Sequence, residues 1–274
     1  MKIGEGSFSA TFLATTAPDQ SLDFSEVAKV GFKKNHIKHA TELKILRQLD
    51  GKMYFPNFVY GGESGKYTFL VTEDAGEDLE KVVKRNRDPL TNKNVVRLSH
   101  IVHTAVDYLH RKGYVHRDIQ ASNVLLQLRN RRVRVRLCDF GDSTEINQPA
   151  KRRSSFMRLF NRQDVPSYHQ SENHCHTAIL CLKLLGKMPE MTRRESIFYK
   201  SHITQFELPD LVGEHMWIKL IWLNLSACFD EKTTNFSFIN TFLDAAIPDF
   251  SKESDLAYTY DGKLKLQMFS LDDY

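Results

Sequence analysis

Three oxygen-bearing side chains stand at fixed offsets within residues 114–141 and can do chemistry together. Asp118 is followed five residues later by Asn123, and an apolar run beginning just after Asn123 leads towards Asp139. Carboxylate and amide oxygens suit Mg²⁺, and a further carboxylate can orient an attacking hydroxyl. The pattern therefore indicates a site that holds Mg²⁺ on phosphates and positions an acceptor for phosphoryl transfer.

The same stretch resembles the eukaryotic protein kinase superfamily. Residues 116–123 match its catalytic loop, H-R-D-x-x-x-x-N, and residues 139–141 match its D-F-G motif. The resemblance implies Asp118 as catalytic base, with Asn123 and Asp139 as Mg²⁺ ligands. It also implies that His116 and Phe140 pack internally. The alternative, two turn aspartates flanking a hairpin by chance, is disfavoured because both motifs occur in order.

Bulk composition excludes several classes of protein. The 274 residues are 41% hydrophobic and 26% charged, which is ordinary for one large or two small globular domains. The four cysteines show no paired metal spacing, and neither a signal peptide nor a run of about 20 apolar residues occurs. We expect a soluble intracellular protein, cytoplasmic or nuclear, without a membrane partner. A net charge of +4 makes nucleic acid an unlikely ligand.

The first residues predict a glycine-rich phosphate loop before a strand. Glycine lets backbone amides approach phosphate oxygens, and the match to the kinase loop departs at Ser9, where a third glycine is usual. The resemblance implies that ATP contacts Ile3, Gly4, Gly6 and Ser7. So little chain precedes this strand that the expected amino-terminal lobe is minimal.

A strand and a helix follow. Residues 25–30 alternate as a strand that places Val27 and Lys29 on one face, and leucines at helical spacing predict a helix over 39–49. The resemblance makes Val27 part of the ATP site and Lys29 the phosphate-contacting lysine, with Lys33 and Lys34 as fallbacks. Glu42 would pair with Lys29, and their short separation resembles the casein kinase one branch.

Two strands, residues 54–62 and 66–71, are predicted around a turn at 61–65, followed by a segment that resembles a kinase hinge. There Thr72 would be the gatekeeper and Glu73 would offer the first backbone carbonyl to adenine. Further on, residues 92–112 predict a buried helix, and residues 124–128 and 133–137 predict a hairpin. Arg134 and Arg136 share one face of it, either solvated or facing an acidic partner.

Residues 142–172 are polar and basic and would form the activation segment. The resemblance makes Arg117 the residue that meets a phosphate there, with Ser154 or Ser155 as its source; a solvated tail is the alternative. Asn173 stands where the family usually has an anchoring aspartate. A zinc site at residues 169–176 is disfavoured, because no partner cluster exists.

Two apolar helices are predicted at 217–229 and 236–246, then a hairpin at 256–269 around Asp261-Gly262, a pair that suits a type I′ turn. The expected fold is α+β: a bilobal protein kinase with a small antiparallel sheet and one helix, then a mainly helical lobe. The expected divisions are an amino-terminal lobe at 1–73, a hinge at 74–78, a carboxy-terminal lobe at 79–250, and a tail at 251–274.

The resemblance implies γ-phosphoryl transfer from ATP, with Mg²⁺, to serine or threonine of a protein. The stretch Gln120-Ala121-Ser122 lacks the arginine of tyrosine kinases and also the lysine usual in serine/threonine kinases. Basic residues near Ser154 favour an acidic or already phosphorylated substrate. The rivals are a pseudokinase scaffold or allosteric regulator, a small-molecule kinase, and a nucleic-acid-binding module.

Overall fold

The computed structural model describes residues 1–5, 9–15, 25–86, 88–146, 170–188, 210–231, 235–247 and 255–266. Within these ranges a small antiparallel sheet with one helix precedes a mainly helical lobe, as the sequence predicts. No helix in the described ranges is both long and apolar enough to cross a bilayer.

Five strands form the first sheet: β1 (Lys2–Glu5), β2 (Ser9–Ala14), β3 (Glu26–Phe32), β4 (Phe58–Ser64) and β5 (Tyr67–Glu73). Their order is β1-β2-β3-β5-β4, and all neighbours are antiparallel. Helix α1 (His36–Leu49) packs on β4 and β5 and buries Ile45, Leu46 and Leu49. The predicted helix is therefore present, and it begins three residues earlier than its leucine spacing indicates.

The predicted turn at 61–65 is wrong except at its last residue, because β4 extends to Ser64. Strand β4 continues through Gly61 and Gly62, and the chain turns only at Gly65, where φ is +55°. A Cβ on Gly61 would lie 2.6 Å from Leu43 Cδ1 of α1. Gly61 is therefore a contact position for the helix on the sheet, since glycine in a strand often marks close approach.

The second lobe contains the following elements: β6 (Glu77–Asp78), α2 (Leu79–Arg85), α3 (Asn92–Arg111), β7 (Tyr114–Val115), β8 (Val124–Arg129), β9 (Arg132–Leu137), β10 (Thr144–Glu145), α4 (Ser171–Leu184), α5 (Met216–Glu231) and α6 (Ser237–Ala246). Strands β6, β8 and β9 form one antiparallel sheet, and β7 pairs with β10. Thr91 caps α3 by accepting a hydrogen bond from the Asn94 backbone N–H. The apolar stripe of α3 is buried, and α3 contacts α4, which in turn contacts α5. This packing fixes the position of the chain that follows α3.

Arg134 and Arg136 have different environments, and each matches one of the two alternatives, solvent and an acidic partner. Arg134 is exposed, whereas Arg136 is buried and its Nη1 lies 3.1 Å from Glu73 Oε1 at the end of β5. Burial lowers the pKa of Arg136, against the pull of the Glu73 carboxylate. Arg136 therefore joins the helical lobe to the last residue of the first sheet.

The predicted carboxy-terminal hairpin is present as β11 (Tyr258–Tyr260) and β12 (Leu264–Leu266). Tyr260 pairs with Leu264, so the loop has three residues with Gly262 at φ +87°, and the two-residue type I′ turn is wrong. Leu264 and Leu266 are buried against α2. Asn94 of α3 donates to Ala257 O and accepts from Ala257 N, each at 2.9 Å.

Candidate active site

A cleft of about 670 Å³ lies between the two lobes and collects most of the predicted site residues. Its lining includes Ile3, Gly4, Val27, Lys29, Glu42, Thr72, Glu73, Asn123 and Asp139. Gly6 and Ser7, predicted to contact ATP, lie outside the described residues, as do Ser154 and Ser155. Apolar walls with a few convergent polar groups are typical of sites for small ligands.

Lys29, Glu42 and Asp139 meet in one ion-paired group at the back of this cleft. The Nζ of Lys29 lies 2.9 Å and 3.1 Å from the two Glu42 oxygens and 2.8 Å from Asp139 Oδ1. Strand β3 supplies Lys29 and helix α1 supplies Glu42, so the pair forms only when α1 is packed against the sheet. Lys33 and Lys34, the fallbacks, are exposed and remote from the cleft lining.

The electrostatics of this group follow from two carboxylates sharing one ammonium. Burial acts to lower the pKa of Lys29, but Glu42 and Asp139 outweigh it and raise that pKa above its ordinary value. Burial raises the pKa of Glu42. Burial also acts to raise the pKa of Asp139, but the charge and hydrogen bond of Lys29, together with the Gly141 N–H, outweigh it and lower that pKa. With all three ionised, the group carries a net charge of −1, which suits a bound cation.

Asp139 is held in a left-handed backbone conformation with φ +63°. Its Oδ1 accepts from Gly141 N at 3.4 Å as well as from Lys29. The next residue, Phe140, is fully buried, with its ring centroid 5.9 Å from that of Phe55 and 5.1 Å from that of His116. Packing of Phe140 therefore fixes the direction in which Asp139 faces.

The turn after β7 carries Asp118. Asn123 Nδ2 donates to both Asp118 O and Asp118 Oδ2, each at 2.9 Å, and Gln120 Nε2 donates to the same Oδ2 at 2.9 Å. His116 is buried, accepts from Asp118 N through Nδ1, and donates from Nε2 to Cys138 O. The loop is therefore held internally, and Asp118 Oδ2 has two amide donors. Sequence reasoning missed the Gln120 contact.

Arg117 and Asn173 connect this loop to helix α4. Arg117 has φ +71°, and its backbone N–H donates to Asn173 Oδ1 at 3.0 Å. Asn173 is fully buried, and this hydrogen bond to the loop backbone is the contact expected of the aspartate that the family usually has here. The Arg117 guanidinium donates to Asp142 O at 3.3 Å, at the start of the predicted activation segment. Its predicted phosphate partners lie outside the described residues.

The segment after β5 is held close to β8. Gln127 Nε2 donates to Asp74 O at 2.7 Å, and the Asn57 backbone N–H donates to Glu73 Oε1 at 3.1 Å. Gly76 has φ +92°, and a Cβ there would lie 2.1 Å from Leu126 O. Only glycine satisfies both restrictions. Thr72 and Glu73 line the cleft as predicted, whereas the contacts of Gln127 and Arg136 were not predicted.

The oxygen donors present fit Mg²⁺. The Asn123 amide nitrogen donates both of its hydrogen bonds to Asp118, so the side-chain carbonyl oxygen of Asn123 is the end able to bind a cation. Within the described residues, the hydrogen bonds to Asp139 end on Oδ1, so Oδ2 is the oxygen available to bind the cation. Hard oxygen ligands of this kind suit Mg²⁺ together with phosphate oxygens.

A comparison of the sequence with models of known protein families agrees with this geometry. A family model described as protein kinase domain matches residues 1–162, which is more than half of the chain. That range contains the glycine-containing strand, Lys29, Glu42, the catalytic loop and residues 139–141. The chain therefore belongs to the protein kinase family.

Proposed function

We propose that this protein is an ATP- and Mg²⁺-dependent protein kinase that phosphorylates serine or threonine. The observation that carries the proposal is the convergence of Lys29, Asp139 and Asn123 on one cleft, with the Lys29–Glu42 pair already formed. Phosphoryl transfer depends mainly on positioning and charge neutralisation, which these groups supply.

Each residue has a role that follows from its surroundings. Lys29, held by Glu42, would bind the α and β phosphates, and its raised pKa keeps it charged. Asp139 and Asn123 would hold Mg²⁺, which supplies neutralisation of phosphate charge when bound. Val27 and Ile3 would cover the base, and Thr72 and Glu73 would border the adenine.

Asp118 would orient the acceptor hydroxyl and take its proton. The two amide donors on Oδ2 fix the carboxylate plane and leave Oδ1 to accept the hydroxyl hydrogen bond. Residues 120–122 lack the arginine of tyrosine kinases, which supports serine or threonine as acceptor. The spacing of Lys29 and Glu42 supports a place near the casein kinase one branch.

We also propose the lobe boundaries at 1–73, 74–78, 79–250 and 251–274, an intracellular location, and a protein substrate rich in acidic or phosphorylated residues. The support for the substrate is the basic sequence at Lys151, Arg152, Arg153, Arg158 and Arg162. Ser154 and Ser155 would be autophosphorylation sites, with Arg117 facing the phosphate.

A second candidate is a pseudokinase that binds nucleotide and acts as a scaffold. The observation that favours it is Gln120, a neutral amide on Asp118 where serine/threonine kinases carry a lysine. A neutral donor stabilises a transferring phosphate less than a cation does. Nucleotide binding without turnover would be its signature.

The test combines binding and transfer. γ-Labelled ATP is incubated with Mg²⁺ and acidic, basic and phosphorylated peptides, with Asp118→Asn as an isosteric control, followed by phosphoamino-acid analysis. In parallel, Mg²⁺ with ATP at a hundredfold excess over its Kd should stabilise the fold by about 2.7 kcal/mol. Transfer by the wild type that is lost in Asp118→Asn supports the kinase. A thermal shift without transfer supports the pseudokinase. The absence of both transfer and a thermal shift would overturn both proposals.

A further inference from the structure

The catalytic loop contains a strained residue that needs an anchor. Arg117 is not glycine, yet its φ is +71°, a conformation that side-chain-bearing residues adopt only when neighbouring contacts hold them. The contact to its strained backbone is the 3.0 Å hydrogen bond from its N–H to Asn173 Oδ1, in addition to the contact of its guanidinium with Asp142 O. An amide differs from a carboxylate here, because its nitrogen end would set one donor against another. Something must therefore fix which end of Asn173 faces Arg117.

His110 fixes which end of the Asn173 amide faces Arg117. Asn173 Nδ2 lies 3.1 Å from His110 Nε2, and both residues are buried. Since Asn173 Oδ1 already accepts from Arg117, its Nδ2–H must donate, and His110 Nε2 must be the acceptor. The neutral ring then carries its proton on Nδ1. A nitrogen of His110, a nitrogen of His174 and the Asp107 carboxylate lie within 4.8 Å of one another, and such a carboxylate favours protonated nitrogens facing it.

We propose that His110 is a positioning residue for the phosphoryl transfer inferred above. It accepts from the Asn173 amide, fixes the orientation of that amide, and so keeps Asn173 Oδ1 on the Arg117 N–H. A carboxylate at position 173 would instead need the His110 proton on Nε2, which is the other tautomer of the ring. The asparagine and the histidine therefore form a matched pair that replaces a single anchoring carboxylate.

A metal site is the competing interpretation of the same cluster. Asp107 Oδ1 lies 3.2 Å from His174 Nε2, and His174 Nδ1 lies 2.8 Å from His103 Nδ1. With the proton of His103 Nδ1 donated to His174 Nδ1, the proton of His174 lies on Nε2, which faces the Asp107 carboxylate at ion-pair distance but without hydrogen-bond geometry. Metal binding through His110 Nδ1 would move its proton to Nε2, against the Asn173 N–H. The hydrogen-bonded interpretation therefore agrees with the Arg117 contact.

The first test compares two variants of the same buried cluster. His110→Phe removes the acceptor for Asn173, whereas His103→Phe disturbs the cluster without touching Asn173. Amide hydrogen exchange of a peptide spanning residues 115–119 should rise by about tenfold in His110→Phe, as expected for one lost hydrogen bond, and stay near wild type in His103→Phe. Equal rates in His110→Phe and wild type, or equal rises in both variants, would overturn the proposal. This readout does not require catalysis.

If the wild type transfers phosphate, kcat should fall at least about tenfold in His110→Phe with the KM for ATP nearly unchanged. His110→Gln, whose amide oxygen can accept, should recover part of the loss, and His103→Phe should keep wild-type kcat. A rise in the KM alone, or no recovery in His110→Gln, would argue for a general packing role instead. Absence of transfer in the wild type would overturn the proposed function and leave the exchange result standing.

The second test uses Asn173→Asp and pH. The new carboxylate needs a proton on His110 Nε2, gained by a change of tautomer or as a second proton. The second proton adds a positive charge beside the carboxylate and holds it more firmly, so protection at residues 115–119, corrected for the pH dependence of intrinsic exchange, should rise as pH falls from 8 to 6, whereas wild type should not show this change. The charged and titratable groups nearby are His103, Asp107, Arg111, Arg117, Glu172 and His174. A Zn²⁺-dependent rise in Tm that a chelator reverses, and that His174→Asn abolishes, would overturn the proposal in favour of a metal centre.

Discussion

The carboxylate of Asp118 receives two neutral donors, the amides of Gln120 and Asn123, on the same oxygen. Neutral donors orient a carboxylate but leave no positive charge beside the group being transferred. A lysine at position 120 would still reach Asp118 and would add that charge. If the protein transfers phosphate as proposed, the rate of transfer should therefore be limited at position 120.

We expect Gln120→Lys to raise kcat by up to about 10², with little change in the KM for ATP, because the added cation acts mainly on the transition state. Gln120→Leu, which loses the hydrogen bond, should lower kcat. Steady-state kinetics at several ATP concentrations measure both. Lower activity in Gln120→Lys than in wild type would mean that the loop depends on an amide.

His174 gives a second prediction, in stability. Burial lowers the pKa of His174 to about 3, and although Asp107 lies 3.2 Å away and would favour the charged ring, His174 is fully buried and Asp107 is half-exposed. In the unfolded chain the His174 ring therefore binds a proton below about pH 6.5, whereas in the folded chain it binds that proton only below about pH 3. The free energy of unfolding should fall with acidification by about 1.4 kcal/mol per pH step from this ring.

Urea unfolding between pH 7 and pH 4.5 measures that slope. In His174→Gln, the slope of the free energy of unfolding against pH should decrease by the contribution of one proton, whatever the effect of the substitution on stability at pH 7. His103, whose pKa burial also lowers, should still contribute in the variant. An unchanged slope in His174→Gln would show that another group controls acid unfolding.

Among the elements, the segment joining the lobes depends on one glycine. Gly76 combines φ +92° with a space in which a Cβ would lie 2.1 Å from Leu126 O, which is a backbone atom of β8. Gly65 in the β4–β5 turn has φ +55° and nothing within 4 Å of a Cβ. The two positions share the backbone restriction and differ only in the space around it.

Gly76→Ala should therefore lower the free energy of unfolding by about 3 kcal/mol or more and weaken ATP binding, since strain and a backbone clash add. Gly65→Ala should cost only about 1 kcal/mol. Chemical unfolding and nucleotide titration of both variants provide the comparison. Equal losses at the two positions would mean that backbone conformation alone matters at Gly76.

The sequence predicted the elements with a clear period and missed contacts between them. Helix α3 and strands β8 and β9 were predicted to within about a residue, because their apolar spacing is regular. Gly61 was assigned to a turn because glycine marks both turns and close packing, and only the position of Leu43 decides between them. For Arg134 and Arg136 the sequence left solvent and an acidic partner as alternatives, because Glu73 is distant in sequence and only the fold brings it to Arg136.

The site was predictable where a motif fixes a spacing. Lys29, Glu42 and Asp139 do meet, although 110 residues separate the first from the last. In the sequence, Gln120 indicated only that the usual lysine is missing, whereas in the structure its amide donates a hydrogen bond to Asp118. His110 carried no signal at all, since it is one more residue on a buried helix face until α4 brings Asn173 against it.

At the scale of the whole molecule, the carboxy-terminal hairpin closes the helical lobe. Arg85 Nη2 donates to Leu264 O at 2.9 Å, Asn86 Nδ2 donates to Leu266 O at 3.1 Å, and Asn94 makes two hydrogen bonds with Ala257. Arg85 also binds both oxygens of Glu77, which lines the cleft. The hairpin is thus connected to the edge of the cleft through α2.

Asn94→Ala should lower the free energy of unfolding by about 2 kcal/mol, because it removes the amide partners of the Ala257 N–H and C=O. Lys93→Ala, at the exposed neighbouring position, should change it by less than about 0.5 kcal/mol. Thermal and urea unfolding of the two variants test this. Similar values for both would show that the apolar contacts of the hairpin hold it without Asn94.

The Asn94–Ala257 contact also sets an order of events during synthesis. The two residues are 163 positions apart, and at about 5–20 residues per second a ribosome needs on the order of ten seconds to make the chain between them. During that interval the nascent chain can form the first sheet and α3, but the face that Leu264 and Leu266 cover stays open to water. A ribosome paused before residue 257 would therefore leave a nearly complete chain with an exposed apolar surface on its helical lobe.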